Sequence, residues 1–352
     1  MKLKILLFGA FCFMASLALA QQNESIVKQF GKDNEANVDQ DGEELTSKIL
    51  QVGISNTATV NQEDLGNFSV IEQYGMMNRA EVVQKGESNF SFSSQYGADN
   101  QVIVQNKAGK NLRFYALQYG MSNNIFQEAD ETGNPSEDVT MVAKQFGISN
   151  SIDQVTFDSK YSFGSVVQIG KDNTSIQQVV GENQFFSAIV RGINNTTTQF
   201  YLGGSNNVGT MYVHGKGNGG SQFLVGNLTT KDNFLKLVTI GNANTSEQQI
   251  FGTNIGVENS TSQVYQFGDE NTSSTLQFEQ VGSEIYISQY GDGNMADAEQ
   301  MSGEGNRIFI HQKGKGNSAT VNQEGDFHYV KVYQRGMNNT IEISQKGSSS
   351  GN

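Results

Sequence analysis

The sequence predicts an all-β chain folded as a β-solenoid, with one strand-turn-strand coil per 22–23-residue repeat and about fourteen coils. Three observations carry this reading. A Gln-x-Gly-x-x-Asn unit recurs along almost the whole chain. Apolar and polar residues alternate on both sides of each unit, as in half-buried strands. Hydrophobic residues make up 36% of the chain, with 39 Gly, one Pro and no Trp, which is too little for a large globular core. A narrow space between two sheets can still be filled.

The unit starts at Gln29, Gln51, Gln73, Gln95, Gln118, Gln145 and Gln168, and again at Gln266, Gln289, Gln312 and Gln334. In three copies between these groups Val190, Val213 and Thr239 replace the glutamine. The glycines Gly192, Gly215 and Gly241 stay, and so do Asn195, Asn218 and Asn244. That makes fourteen copies, most often 22 or 23 residues apart and at most 27. A period in this range indicates stacked units, because one unit cannot bury its apolar face alone.

Each repeat divides into two strands and two turns. Counting the first glutamine as position 0, positions −2 and 0 alternate with polar neighbours, as in Ile49-Leu50-Gln51. Positions +7, +9 and +11 alternate as well: Ala36, Val38, Gln40; Ala58, Val60, Gln62; Ala80, Val82, Gln84; Ala319, Val321, Gln323. Between the strands lies Gly-x-x-Asn, as at Gly31 and Asn34, Gly53 and Asn56, Gly75 and Asn78, Gly291 and Asn294, Gly314 and Asn317, and Gly336 and Asn339. Gly and Asn both tolerate positive φ, so these pairs are read as tight turns. A second turn follows +11, often with its own glycine (Gly42, Gly86, Gly303, Gly325, Gly347). Asp130 to Asp138 is acidic, holds Pro135 and is expected to be a bulging loop.

Stacked coils would lie about 4.7–4.9 Å apart, so fourteen make a rod of roughly 65 Å. Two glutamines per coil are then expected to point inward. A buried amide is costly unless paired, and stacking pairs each glutamine with those above and below in a ladder. The first row runs through the unit glutamines from Gln29 to Gln334. The second holds Gln40, Gln62, Gln84, Gln277, Gln300, Gln323 and Gln345. In the middle of the chain its glutamine moves to +9 (Gln127, Gln154, Gln177, Gln199, Gln222, Gln248). A two-residue shift keeps the same face, so the ladder is expected to continue there. Position +1 is often aromatic or apolar (Phe30, Val52, Tyr74, Tyr96, Tyr119, Phe146), a row that either stacks like on like between coils or forms a contact surface.

Residues 1–20 read as a signal peptide: Lys2 and Lys4, an apolar run from Ile5 to Leu19, and Ala18-Leu19-Ala20 as a cleavage site. The repeat domain is then 21–352. The only cysteine, Cys12, falls inside the signal, so no disulfide is expected. Removing Lys2 and Lys4 takes the formal charge from −13 to −15, which argues against nucleic acid as a partner. No other stretch is apolar enough to span a membrane as a helix.

These residues resemble the curlin family, the subunits of curli amyloid fibres on bacterial surfaces. The family unit runs Ser, five residues, Gln-x-Gly-x-x-Asn-x-Ala, three residues, Gln. Gln51, Gly53, Asn56, Ala58 and Gln62 match it, as do Gln73, Gly75, Asn78, Ala80 and Gln84, and Gln289, Gly291, Asn294, Ala296 and Gln300. The resemblance implies a secreted subunit of surface fibres, nucleated polymerisation, and a role in biofilm matrix and adhesion. It also implies other curlin-like subunits and a secretion apparatus as partners. Two departures stand out. Familiar curlins have about five repeats, and they carry a polar export segment where this chain has only Gln21 to Glu24.

The leading functional expectation is thus a structural protein that stacks end to end, because exposed terminal coils offer bare strand edges. A monomeric ligand- or glycan-binding solenoid is the alternative, and would need a long regular surface array. The local threonines Thr57, Thr59 and Thr196 to Thr198 do not supply one. A β-helix polysaccharide enzyme would need clustered acids; Asp33, Asp99 and Asp172 share a turn position on separated coils. His214, His311 and His328 are too scattered for a metal set. No catalytic residue, metal or cofactor is therefore expected.

Overall fold

The computed structural model describes residues 22–107, 109–129, 135–226, 230–253 and 256–347. The expected signal peptide lies outside these residues. Among the described residues there is no helix, and every strand pairing is parallel. Fourteen coils stack into a rod. The strand that carries the first glutamine of each coil belongs to a fourteen-stranded first sheet. The strand after the Gly-x-x-Asn corner belongs to a second sheet, which also takes in two short extra strands, Gly109–Lys110 and Ser136–Glu137.

Register is uniform across the first sheet, where like residues stack on like, and shifts in the second only at bulges, as beside Phe157 and Val180. Gln29 lies against Gln51, and Gln51 against Gln73. The longest spacing does not disturb it, since Gln118 still lies against Gln145. Extra residues are taken up at the second corner, after the second-sheet strand. The acidic insertion illustrates this. Residues 130–134 fall outside the described set, but its end corrects the expectation of a simple loop: Ser136–Glu137 is a short strand paired with Gly109–Lys110. Its backbone groups pair across the insertion instead of facing water.

The interior is the layer between the sheets. Positions 0 and −2 point into it from the first sheet, and +7, +9 and +11 from the second, from the second coil to the thirteenth. Position −4 does so too, as with the buried Ser47, Ser69, Phe114, Met141, Leu235 and Ile308. One apolar cluster runs from Ile49 to Val332, and a second fills the middle with Phe186, Tyr201, Leu224, Leu235 and Ile250. Tyr201 fits there because residue 209 is glycine: a Cβ at Gly209 would lie 1.9 Å from the Tyr201 hydroxyl.

Candidate assembly surfaces

The glutamine rows are directional. In the first sheet Nε2 of Gln51 donates to Oε1 of Gln73 at 2.8 Å, and Gln73 to Gln95 at 2.8 Å. The chain of donors continues through Gln118 and Gln145 to Gln168. It stops where Val190 and Val213 fill the column, and it resumes from Gln266 through Gln289 and Gln312 to Gln334. From Gln51 onward each Nε2 also reaches a backbone carbonyl, as Gln73 does to Thr57 and Asn78, so both amide hydrogens are used.

The second-sheet row corrects the expectation of a continuing ladder. It consists of three separate runs: Gln40 to Gln84, Gln127 to Gln248, and Gln277 to Gln345. A two-residue shift keeps the face but moves the amide about 7 Å along the strand, beyond hydrogen-bond reach. At the first break the side chain of Asn106 and Oε1 of Gln127 are buried without a partner. At the second, Gln248 turns to the backbone carbonyl and hydroxyl of Ser262.

Asparagine at +5 has a different role from the one expected. It is not a positive-φ residue. The residue before it is, as at Asp33, Ser55, Met77 and Asp99, and so is the glycine at +2. The asparagine side chain turns inward instead. Asn56 Nδ2 donates to Asn34 Oδ1 at 3.0 Å and to the Gly75 carbonyl at 3.0 Å, while its backbone N–H donates to the same Asn34 oxygen at 3.1 Å. The link repeats on every coil to the last, where Asn339 donates to Asn317. The asparagine ladder is continuous across the coils in which the first-sheet glutamine is missing, for example from Asn195 through Asn218 to Asn244.

Among the described residues, the two ends of the rod carry complementary groups that no neighbouring coil meets. Gln29 was expected to be buried. It is exposed, because its coil is the outermost, although its amide still donates to Gln51 at 2.7 Å. Gln40 is half-buried for the same reason and donates to Gln62. Among the described residues nothing donates to Oε1 of either. At the far end Gln334 and Gln345 donate only to backbone carbonyls. The asparagines run the opposite way, so among the described residues Oδ1 of Asn339 and the backbone N–H of Asn34 have no partner. Among the described residues no strand pairs with the outer edge of Glu24–Lys32 or Glu35–Glu43, nor with that of Tyr329–Met337 or Thr340–Lys346.

The +1 row faces outward and stacks. Tyr74 and Tyr96 have ring centroids 4.7 Å apart, Tyr96 and Tyr119 4.6 Å, and Phe267 and Tyr290 5.1 Å, all with nearly parallel planes. Coil spacing sets these distances, so like-on-like stacking accounts for the row. No group of three described His, Asp or Glu residues is placed to hold a metal ion. His311 pairs with Ser288 through Nδ1 at 2.7 Å, and burial followed by the Lys313 charge lowers its pKa.

The sequence signature of the Curlin associated repeat matches residues 31–63, 48–86, 282–314 and 314–347. The chain carries curlin repeats. The four matches cover both ends of the rod, and the middle coils, where glutamine leaves its usual places, keep the same coil geometry between them. No curated relative matches the chain. Among the described residues no helix is long and apolar enough to cross a membrane. Across the fourteen coils the glycine and asparagine corner is the constant part, and the glutamines vary in the coils between the matched repeats.

Proposed function

We propose that the chain is a secreted, non-enzymatic structural subunit. In this reading it stacks end to end into cross-β fibres at the bacterial cell surface, as biofilm matrix and for adhesion, alone or with other curlin-like subunits. One observation carries the reading: the groups that no neighbouring described coil meets at the two ends match in kind and position. Oε1 of Gln29 and Gln40 would accept from Gln334 and Gln345 of the preceding copy, and the Asn34 N–H would donate to Asn339. Each joint then repeats the bonds already present between coils. Pairing two like ends would set acceptor against acceptor, so filaments grow with one polarity. The curlin repeats support the same reading. A strand edge left bare is a template for another chain.

The test is electron microscopy and a cross-β dye assay on the purified chain after hours at neutral pH. Unbranched, dye-positive filaments are expected. Monomer that persists for days at high concentration without dye-positive material refutes the proposal.

A further inference from the structure

The two outer faces of the rod carry opposite charge. The first-sheet strands hold fourteen Lys and Arg against four Asp and Glu, a balance of +10. The second-sheet strands hold four basic residues against nineteen acidic ones, a balance of −15. None of these residues is fully buried, although Asp153 and Asp297 are half-buried. The bases of the second sheet are already engaged, as in Lys110 with Glu87 at 3.0 Å and Lys346 with Glu324 at 3.0 Å. Among the described residues, only Lys32 and Lys171 of the fourteen first-sheet cations have a carboxylate within salt-bridge reach. The first-sheet face is also the aromatic one, and some of its cations lie over rings, as Lys236 does over Tyr265 at 5.2 Å.

We infer that the basic, aromatic first-sheet face is a lateral docking surface for the acidic second-sheet face of another copy of this chain. Three arguments select that partner. Its net charge is of the opposite sign, although the second-sheet strands Gln101–Asn106, Thr196–Ser205 and Gly219–Val225 carry no charge and Glu284–Asp292 of the first sheet is acidic. Both faces belong to the same coils and share one coil spacing, so charges that face each other at one coil stay in step with those at the others. The area is also sufficient: strands of ~30 Å on a rod of ~65 Å give a face of roughly 2,000 Å², against about 800 Å² per partner in a standard stable interface. Contact between two unlike faces leaves one of each free, so association stays open and gives layered bundles.

The salt dependence follows from rod thickness. The far face lies roughly 20 Å behind the near one, from the ~10 Å sheet separation plus a layer of side chains on each side. At about 0.1 M salt the screening length is ~10 Å, so a partner senses the near face. At about 0.01 M it is ~30 Å, and the net negative charge of both rods is felt. At about 1 M it is ~3 Å, and the attraction is screened.

This inference rests on the self-assembly reading only in that both partners are copies of the chain. The test compares filament width by electron microscopy at about 0.01, 0.1 and 1 M NaCl for three proteins. They are the unaltered chain, a first-sheet variant (Arg113→Glu, Lys144→Glu, Arg191→Glu, Lys216→Glu) and a second-sheet variant (Glu182→Lys, Glu247→Lys, Glu299→Lys, Glu304→Lys). All eight sites are away from the end coils, so dye-positive filament yield is expected to be unchanged. The unaltered chain is expected to be widest at the middle salt, and both variants to give single filaments throughout. If the second-sheet variant bundles like the unaltered chain, the partner is not a copy. If it does so while the first-sheet variant alone loses binding to a soluble anionic polysaccharide, the basic face serves that polymer. If no protein forms filaments, end-to-end stacking has failed, and the lateral contact is read by light scattering on single rods. Salt-reversible association of the unaltered chain alone then supports it, and equal scattering by all three overturns it.

Discussion

Asn78 donates its side-chain amide to Oδ1 of Asn56, 3.0 Å away and one coil back toward the N-terminus. Gln73 on the same coil donates forward to Gln95. Each coil is thus tied to both neighbours by side chains that point in opposite senses, and only the asparagine series is unbroken.

Replacing an asparagine should therefore cost more than replacing a glutamine. Asn123→Ala leaves the backbone N–H of Asn150 and the carbonyl of Gly147 without their side-chain partner, and Nδ2 of Asn150 with the Gly170 carbonyl alone. An orphaned buried group costs about 1–3 kcal/mol, so a loss of ~2–6 kcal/mol is expected for the two groups. Gln168→Ala removes donors to Ser151 and Ser175 and an acceptor from Gln145, and a loss of ~1–3 kcal/mol is expected. Denaturant midpoints compare the two, and equal losses would refute the ranking.

The end coils should control polymerisation. Replacing Gln29 and Gln40 by Ala removes two acceptors from the exposed first coil. Replacing Gln168 and Gln177 removes equivalent groups from a coil covered on both sides. The first pair is expected to lengthen the lag before dye-positive fibres appear, and the second mainly to lower the unfolding midpoint of the rod. Equal delays, or a delay from the middle pair alone, would count against end control.

Two glycines separate steric from conformational demand. A Cβ on Gly147, at φ +133°, would lie 1.8 Å from the carbonyl oxygen of Gly170, and backbone cannot move aside. Gly217, at φ +67°, has open space around its missing side chain. Gly147→Ala is expected to abolish the folded rod. Gly217→Ala should cost only about 1–2 kcal/mol for the left-handed backbone. Circular dichroism and thermal unfolding of both variants decide.

Asp153 supplies a pH dependence. Burial, and then the nearby charge of Glu128, raise its pKa, and Oδ1 has no partner. A carboxyl with a raised folded-state pKa favours folding when protonated, and that advantage is lost as pH rises through the folded value. Asp153→Asn is therefore expected to raise the unfolding temperature at pH 7. The gain should shrink as pH falls through the folded-state pKa of Asp153. A gain that is constant with pH would exclude this origin.

The coil itself was legible because Gly and Asn recur at fixed spacing and Ala58, Val60 and Gln62 alternate in step. The role of asparagine was not, because the same residue type suits a strained turn and a buried amide ladder, and only the positive φ of Ser55 beside Asn56 separates the two. Position −4 was hidden by its variety: Ser47, Phe114 and Leu235 are alike only in facing inward. The shift from Gln84 to Gln127 kept the face, but hydrogen-bond reach is decided by distance along the strand. The charge division was invisible in linear order, because each half-repeat switches sheets and any long window averages the two faces.

The glycine at +2 has a consequence for how the chain finds its own alignment. Gly120, Gly147 and Gly170 stack backbone on backbone, followed by asparagine in every coil. That corner is spelled the same way fourteen times, so it cannot tell one coil from another, and a coil paired with the wrong neighbour would satisfy it fully. Addressing must come from the other corner, where Leu45, Asn67, Ser162, Gln184 and His328 occupy the equivalent place and the connections differ in length. One corner supplies cohesion without identity, and the other works as the index that keeps the coils in numerical order.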